Sequence, residues 1–81
     1  MTEKEELWRL YRRTEAVYEE LIRARAALRK EEENFYSDFH GSIFRENYLA
    51  KTEAAAQVLD YMVWQAEQLK EGIRWRILSI T

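Results

Sequence analysis

Along the first half of the chain, Leu7, Leu10, Tyr11, Thr14, Val17, Tyr18, Leu21, Ala24 and Leu28 recur at helical spacing, with charged residues between them. At 3.6 residues per turn this lays them on one stripe of an α-helix. Thr2-Glu3-Lys4-Glu5 has the form of a capping box, so the helix is expected to begin by residue 3. Glu19 and Arg23, four apart, add a small ion-pair support on the wet face. The second half repeats the pattern through Phe44, Tyr48, Ala55, Val58, Met62, Ala66, Leu69, Ile73, Ile77 and Ile80. Its middle, "EAAAQVLDYMVWQAEQLK", is built of strong helix formers. Gly72 is expected to let the last turns fray or bend.

These patterns predict an all-α, antiparallel two-helix hairpin in a single domain, 1–81. Helix 1 is expected over about 3–35, a turn over about 36–42 and helix 2 over about 43–78, each helix roughly 45–50 Å long at 1.5 Å per residue. The turn falls in "FYSDFHGSIF" (35–44), which holds the only glycine before Gly72 in a chain with no proline. Gly41 can take the left-handed conformation that ends a helix, and Ser42 is a good N-cap for the next. Asp38 or Ser37 would cap instead if the break starts earlier. Phe35, Phe39 and Phe44 are then placed to plug the closed end.

A hairpin buries only the seam between its helices, and here the flanks are not polar. Tyr61, Trp64, Gln68 and Trp75 form a second line on helix 2, and Trp8 stands off the Leu7/Tyr11 line on helix 1. Exposed aromatics so arranged mark a contact surface, so these five residues are the candidate partner interface. Pairing two hairpins into a four-helix bundle would cover them.

Composition narrows the function. Net charge is −2, with both signs interspersed, so no basic face emerges to track a phosphate backbone and nucleic-acid binding is not expected. Without cysteine there is no disulfide framework, thiolate nucleophile or Cys-based zinc site. The single His40 has no second His or Cys to pair with, Glu31, Glu32 and Glu33 point around the helix, and no phosphate loop or Glu-x-x-His pair occurs. The expectation is a non-enzyme without catalytic, metal or cofactor residues. The start "MTEKEELWRL" lacks an apolar leader and no run approaches the roughly 20 residues needed to span a bilayer. The expected location is therefore cytoplasmic, or outside the cell by a route without a cleaved signal peptide. Membrane binding is not expected; the nearest candidate for a surface anchor is "KEGIRWRILSI" (70–80), where cations also suit a helix C-terminus.

Phe39-His40-Gly41 fits an aromatic-x-Gly motif at the middle of an 81-residue, two-helix chain. In this the chain resembles the WXG-motif family of small helical hairpins exported by type VII secretion systems, and especially the small helical partners of LXG-domain toxins. The resemblance covers the whole chain in architecture and Phe39 and Gly41 in motif residues, with Phe44 and Tyr48 as aromatic followers. It implies that Phe39 and Gly41 form the turn. It implies pairing as a homodimer or heterodimer, and a protein partner such as the helical targeting region of an LXG-type toxin. Phe39 stands where the family most often has Trp. Tyr61 followed by Gln65 has an amide where the family's Tyr-x-x-x-Asp/Glu tail signal has an acid. The function expected on this footing is a helical binding module, a secretion-associated partner, chaperone or targeting factor. The alternative is a self-associating intracellular hairpin, a regulator or assembly factor unrelated to secretion.

Overall fold

Each half of the chain winds into one helix, α1 over Glu3–Asp38 (36 residues) and α2 over Ile43–Ile80 (38 residues). This computed structural model describes residues 2–38 and 43–80, and the side chains of all of these except 35–38 and 43–45. α1 begins where its capping signal lies. The Glu5 backbone N–H donates to Thr2 Oγ1 at 3.2 Å and the Glu6 N–H to the Thr2 carbonyl at 3.1 Å, so Thr2 is the N-cap. Glu3, Glu5 and Glu6 fill the first turn, where carboxylates complement the helix dipole.

Both helices outrun their expected ends. α1 continues through Ser37 and Asp38, so neither caps an earlier break, and α2 passes uninterrupted through Gly72 to Ile80. Phe39, His40, Gly41 and Ser42, with the side chains of Phe35 and Phe44, lie outside the described residues; the turn motif and its aromatic plug fall there.

The helices pack antiparallel into a rod measuring 60 × 14 × 14 Å. Ion pairs mark the register: Arg76 reaches Glu3 at 3.0 Å, Lys70 reaches Glu15 at 3.7 Å, and Arg29 reaches Asp60 at 3.2 Å. Partners descend along α2 as they ascend along α1. Arg23 pairs with Glu20 rather than with the expected Glu19, an i,i+3 contact on the wet face.

The covered positions define the seam. On α1 they recur at Leu7, Tyr11, Thr14, Tyr18, Leu21, Arg25 and Leu28; on α2 at Leu49, Thr52, Ala56, Leu59, Val63, Ala66, Lys70, Ile73, Ile77 and Ile80. The steps alternate three and four throughout, the heptad of a coiled coil. On α1 this is the expected stripe made narrower, since Leu10 and Val17 stay exposed, and shifted at one point, where Arg25 is covered and the expected Ala24 is exposed. On α2 the structure corrects the expectation. Tyr48, Ala55, Val58, Met62 and Leu69 are exposed, and the seam runs one residue further on from each.

A physical reason lies in the side chains chosen. Thr52, Ala56 and Ala66 are small, which lets two backbones approach closely, whereas a seam of Tyr48, Val58, Met62 and Leu69 would hold them apart. The two seam hydroxyls are satisfied by their own helices. Thr14 Oγ1 donates to the Leu10 carbonyl at 2.9 Å and Thr52 Oγ1 to the Leu49 carbonyl at 3.0 Å.

Among the described residues the buried apolar side chains are Val63, Ile73 and Ile77, all in the half of α2 remote from the turn. Nearer the turn the seam leucines, Leu21, Leu28, Leu49 and Leu59, are only half-buried among Thr52, Ala56 and Arg25, and Arg25 and Arg29 reach across to Asp60. The core is thin and lies at the open end of the hairpin.

Two substitutions separate the observed seam from its neighbour. Ile73→Ala, which empties a buried site, should lower unfolding free energy by about 2–5 kcal/mol. Leu69→Ala, at a position 55% exposed, should stay within about 0.5 kcal/mol. Urea titrations followed by circular dichroism read both; equal losses would return the seam to Leu69. At Gly72 an added Cβ meets nothing within 4 Å. Gly72→Ala should therefore stabilise α2 by about 0.5–1 kcal/mol, raising the same urea midpoint.

Candidate interaction surface

Seam positions fix where every other side chain of α2 stands, because each residue turns the helix by about 100°. Tyr61 is two residues from both Leu59 and Val63, Gln68 two from both Ala66 and Lys70, and Trp75 two from both Ile73 and Ile77. All three therefore stand on the side of α2 opposite the seam. Trp64 and Leu78 lie one step to the side, and Glu71 completes a row at 61, 64, 68, 71, 75 and 78. That row again steps by three and four. α2 thus carries a second heptad stripe, back to back with the one that holds α1.

Apart from the half-buried Glu71, the row is built of large and exposed groups. Trp75 is 68% exposed and Trp64 53%. Tyr61 and Trp64 sit with ring centroids 6.4 Å apart at a 32° tilt, and Gln65 Nε2 donates to the Tyr61 hydroxyl at 2.7 Å. The tyrosine is thereby held upright between an amide and an indole, an ordered aromatic pair facing water.

Trp8 is not part of this row. It stands on α1 beside Leu7, its ring edge-on to Tyr11 at 5.6 Å, over a shallow hollow lined by Glu5, Arg9 and Arg12. Trp75, at a comparable height, faces away from the seam, so the seam lies between the two indoles. Of the five candidate interface residues, four share one face and Trp8 does not. Glu71 and Leu78 were missed, though their spacing from Trp64 and Trp75 was available in the sequence.

A second apolar surface runs along one flank of the seam, an open groove between Leu10, Val17 and Thr14 of α1 and Ala66 and Leu69 of α2. The opposite flank is polar, carrying the Lys70–Glu15 and Arg29–Asp60 pairs.

Lys70 is a cation placed inside the apolar end of the seam. Its Nζ lies 4.6 Å from the Tyr18 ring centroid, 5.8 Å from that of Tyr11 and 3.7 Å from Glu15 Oε2. Two π faces and a carboxylate replace the water that the ammonium loses. The two arginines of the C-terminal stretch form exposed ion pairs, Arg76 with Glu3 across the seam and Arg74 with Glu71 on its own helix. Among the described residues no helix is long and apolar enough to cross a membrane, and no group of acidic, His or Cys side chains is placed to hold a metal ion.

Compared with known proteins, the chain matches no family model, no curated protein and no solved structure.

Reversing the charge at Lys70 tests its role. Lys70→Glu places a second carboxylate by Glu15 and against two π faces, and should cost about 1–2 kcal/mol of stability. Adding Glu15→Lys restores the ion pair but not the ring contacts, so less than half should return. Full recovery in the urea midpoint would assign the effect to the ion pair alone.

Proposed function

We propose that this chain is a non-enzymatic helical binding module, a type VII secretion-associated partner, chaperone or targeting factor for a larger secreted protein. The observation that carries the binding reading is the exposed heptad row on the back of α2. Tyr and Trp are the residue types that dominate binding energy at protein interfaces, and here they are held on a rigid helix at coiled-coil spacing. A helix of the partner, laying its own apolar stripe along Trp64 and Trp75, is the occupant such spacing suits. The ionisable side chains support binding over catalysis, since their pairs run across the seam and along the helices instead of converging on a cavity. The secretion context rests on the resemblance carried by Phe39 and Gly41 and on the two-helix architecture.

A second reading is a self-associating hairpin serving as a regulator or assembly factor. The order of residues along the α2 row favours it.

The test is recovery of partners from the producing cells with tagged wild-type and Trp64→Glu proteins. A larger protein with a helical N-terminal region should co-purify with the wild type and fall at least about tenfold with the variant, while the helical spectrum is unchanged; central aromatic anchors carry energies of that order. Equal recovery by Trp64→Glu would remove the α2 row as the partner site.

A further inference from the structure

We infer that the back of α2 pairs with the back of α2 in a second copy of this chain, antiparallel and across a two-fold axis between residues 68 and 71. The inference rests on the reading of that row as an interaction surface and names its occupant.

The argument begins with the order of the row. From residue 61 to 78 it reads Tyr, Trp, Gln, Glu, Trp, Leu, which is apolar, apolar, polar, polar, apolar, apolar. Reversed, the pattern is the same. A two-fold interface must be self-complementary, because each residue meets its partner in the same pair twice. In the antiparallel register that overlaps the whole row, Tyr61 faces Leu78, Trp64 faces Trp75 and Gln68 faces Glu71 of the other copy. Apolar groups meet apolar ones and an amide meets a carboxylate it can donate to. A slip of one heptad in either direction places an indole against Gln68 or Glu71 and shortens the overlap.

Charge beside the row agrees. Glu67 and Arg74 stand on one edge of it, seven residues apart and exposed. In that register Glu67 of each copy lies within about one helical step of Arg74 of the other, giving two opposite-charge pairs related by the axis. The other edge carries Gln65, Gly72 and Ser79, which bear no charge and crowd nothing.

Surface area gives the third support. The chain exposes 6253 Å², whereas a compact monomer of its mass exposes about 5,200 Å². A face of standard size removes about 800 Å² per partner, most of that excess. The assembly so built is a flat layer with α2 helices inside and α1 helices outside. It leaves the flank groove of Leu10, Val17 and Leu69 open for a different protein.

Sedimentation equilibrium of the purified chain tests this with charge-reversed variants. The wild type should approach twice its 9.9 kDa mass with rising concentration. Glu67→Lys and Arg74→Glu should each weaken association about tenfold, since each creates two like-charge pairs. Mixing the two variants, or combining both changes in one chain, should restore it. Trp75→Ala should weaken it further with helicity retained. A wild type that stays at one chain mass overturns the inference. So does a dimer indifferent to both charge reversals, or one not rescued by mixing. The partner recovery with Trp64→Glu is independent: a monomer that still captures a larger protein through Trp64 sinks self-pairing and keeps the binding reading. A dimer that is charge-rescued and recovers only itself keeps self-pairing and sinks the secretion reading.

Discussion

A two-helix hairpin can bury one stripe from each helix, and that constraint governs everything else in this molecule. The stripe is narrow along helices of 36 and 38 residues, and among the described residues it buries three apolar groups, Val63, Ile73 and Ile77. Helices in proteins gain most of their stability from tertiary packing, so a thin seam leaves a small margin. Capping at Thr2, cross-seam ion pairs and the Lys70 contacts with Tyr11 and Tyr18 add increments around that core. None substitutes for a third layer.

α2 holds far more apolar surface than one seam can use. Among the described residues, Tyr48, Val58, Tyr61, Met62, Trp64, Leu69, Trp75 and Leu78 remain exposed after α1 has docked, while α1 leaves Trp8, Leu10 and Val17. A helix apolar around most of its circumference is ordinarily an interior helix. In the proposed pairing this asymmetry would put α2 at the centre and α1 at the rim. Cross-seam ion pairs close both flanks: Arg29–Asp60 and Lys70–Glu15 on one, and Arg76–Glu3, a heptad beyond Leu69 and Leu10, on the other.

The same asymmetry set what could be read from residues alone. α1 alternates apolar and charged positions cleanly, so its stripe was legible apart from Leu10 and Val17, which stay exposed, and Ala24, whose place in the seam goes to Arg25. The hairpin was legible too, from the cap at Thr2 and two long periodic segments without proline. On α2 the phase was ambiguous, because Val58 competes with Leu59, Met62 with Val63 and Leu69 with Lys70. Hydrophobicity favours the wrong member of the last pair. What decides it is shape and cross-seam chemistry: the small Ala56 and Ala66 permit close packing, and Tyr18, Tyr11 and Glu15 make a place for an ammonium. Neither signal belongs to α2 taken alone. The outer line of Tyr61, Trp64, Gln68 and Trp75 was legible because aromatic residues at three-four spacing stand out against any phase. Its extension to Glu71 and Leu78 needed the seam to be fixed first, since only then does the row fall opposite it.

Two heptad stripes back to back on one helix carry a mechanical consequence. The inner stripe has small residues and a buried cation, which set a close and singular register; the outer has bulky indoles about a polar middle, which tolerate a wider spacing. A partner that docked on the inner stripe would have to displace α1 and strand Lys70 without its rings. One that docks on the outer stripe displaces only water. The polar centre at Gln68 and Glu71 lowers the affinity that a continuous apolar row would have, and in exchange penalises every register that slides an indole onto it. In the proposed pairing the hairpin would stay folded while another helix docks or leaves, because the groups that fix its own register and the outer row stand on opposite sides of α2.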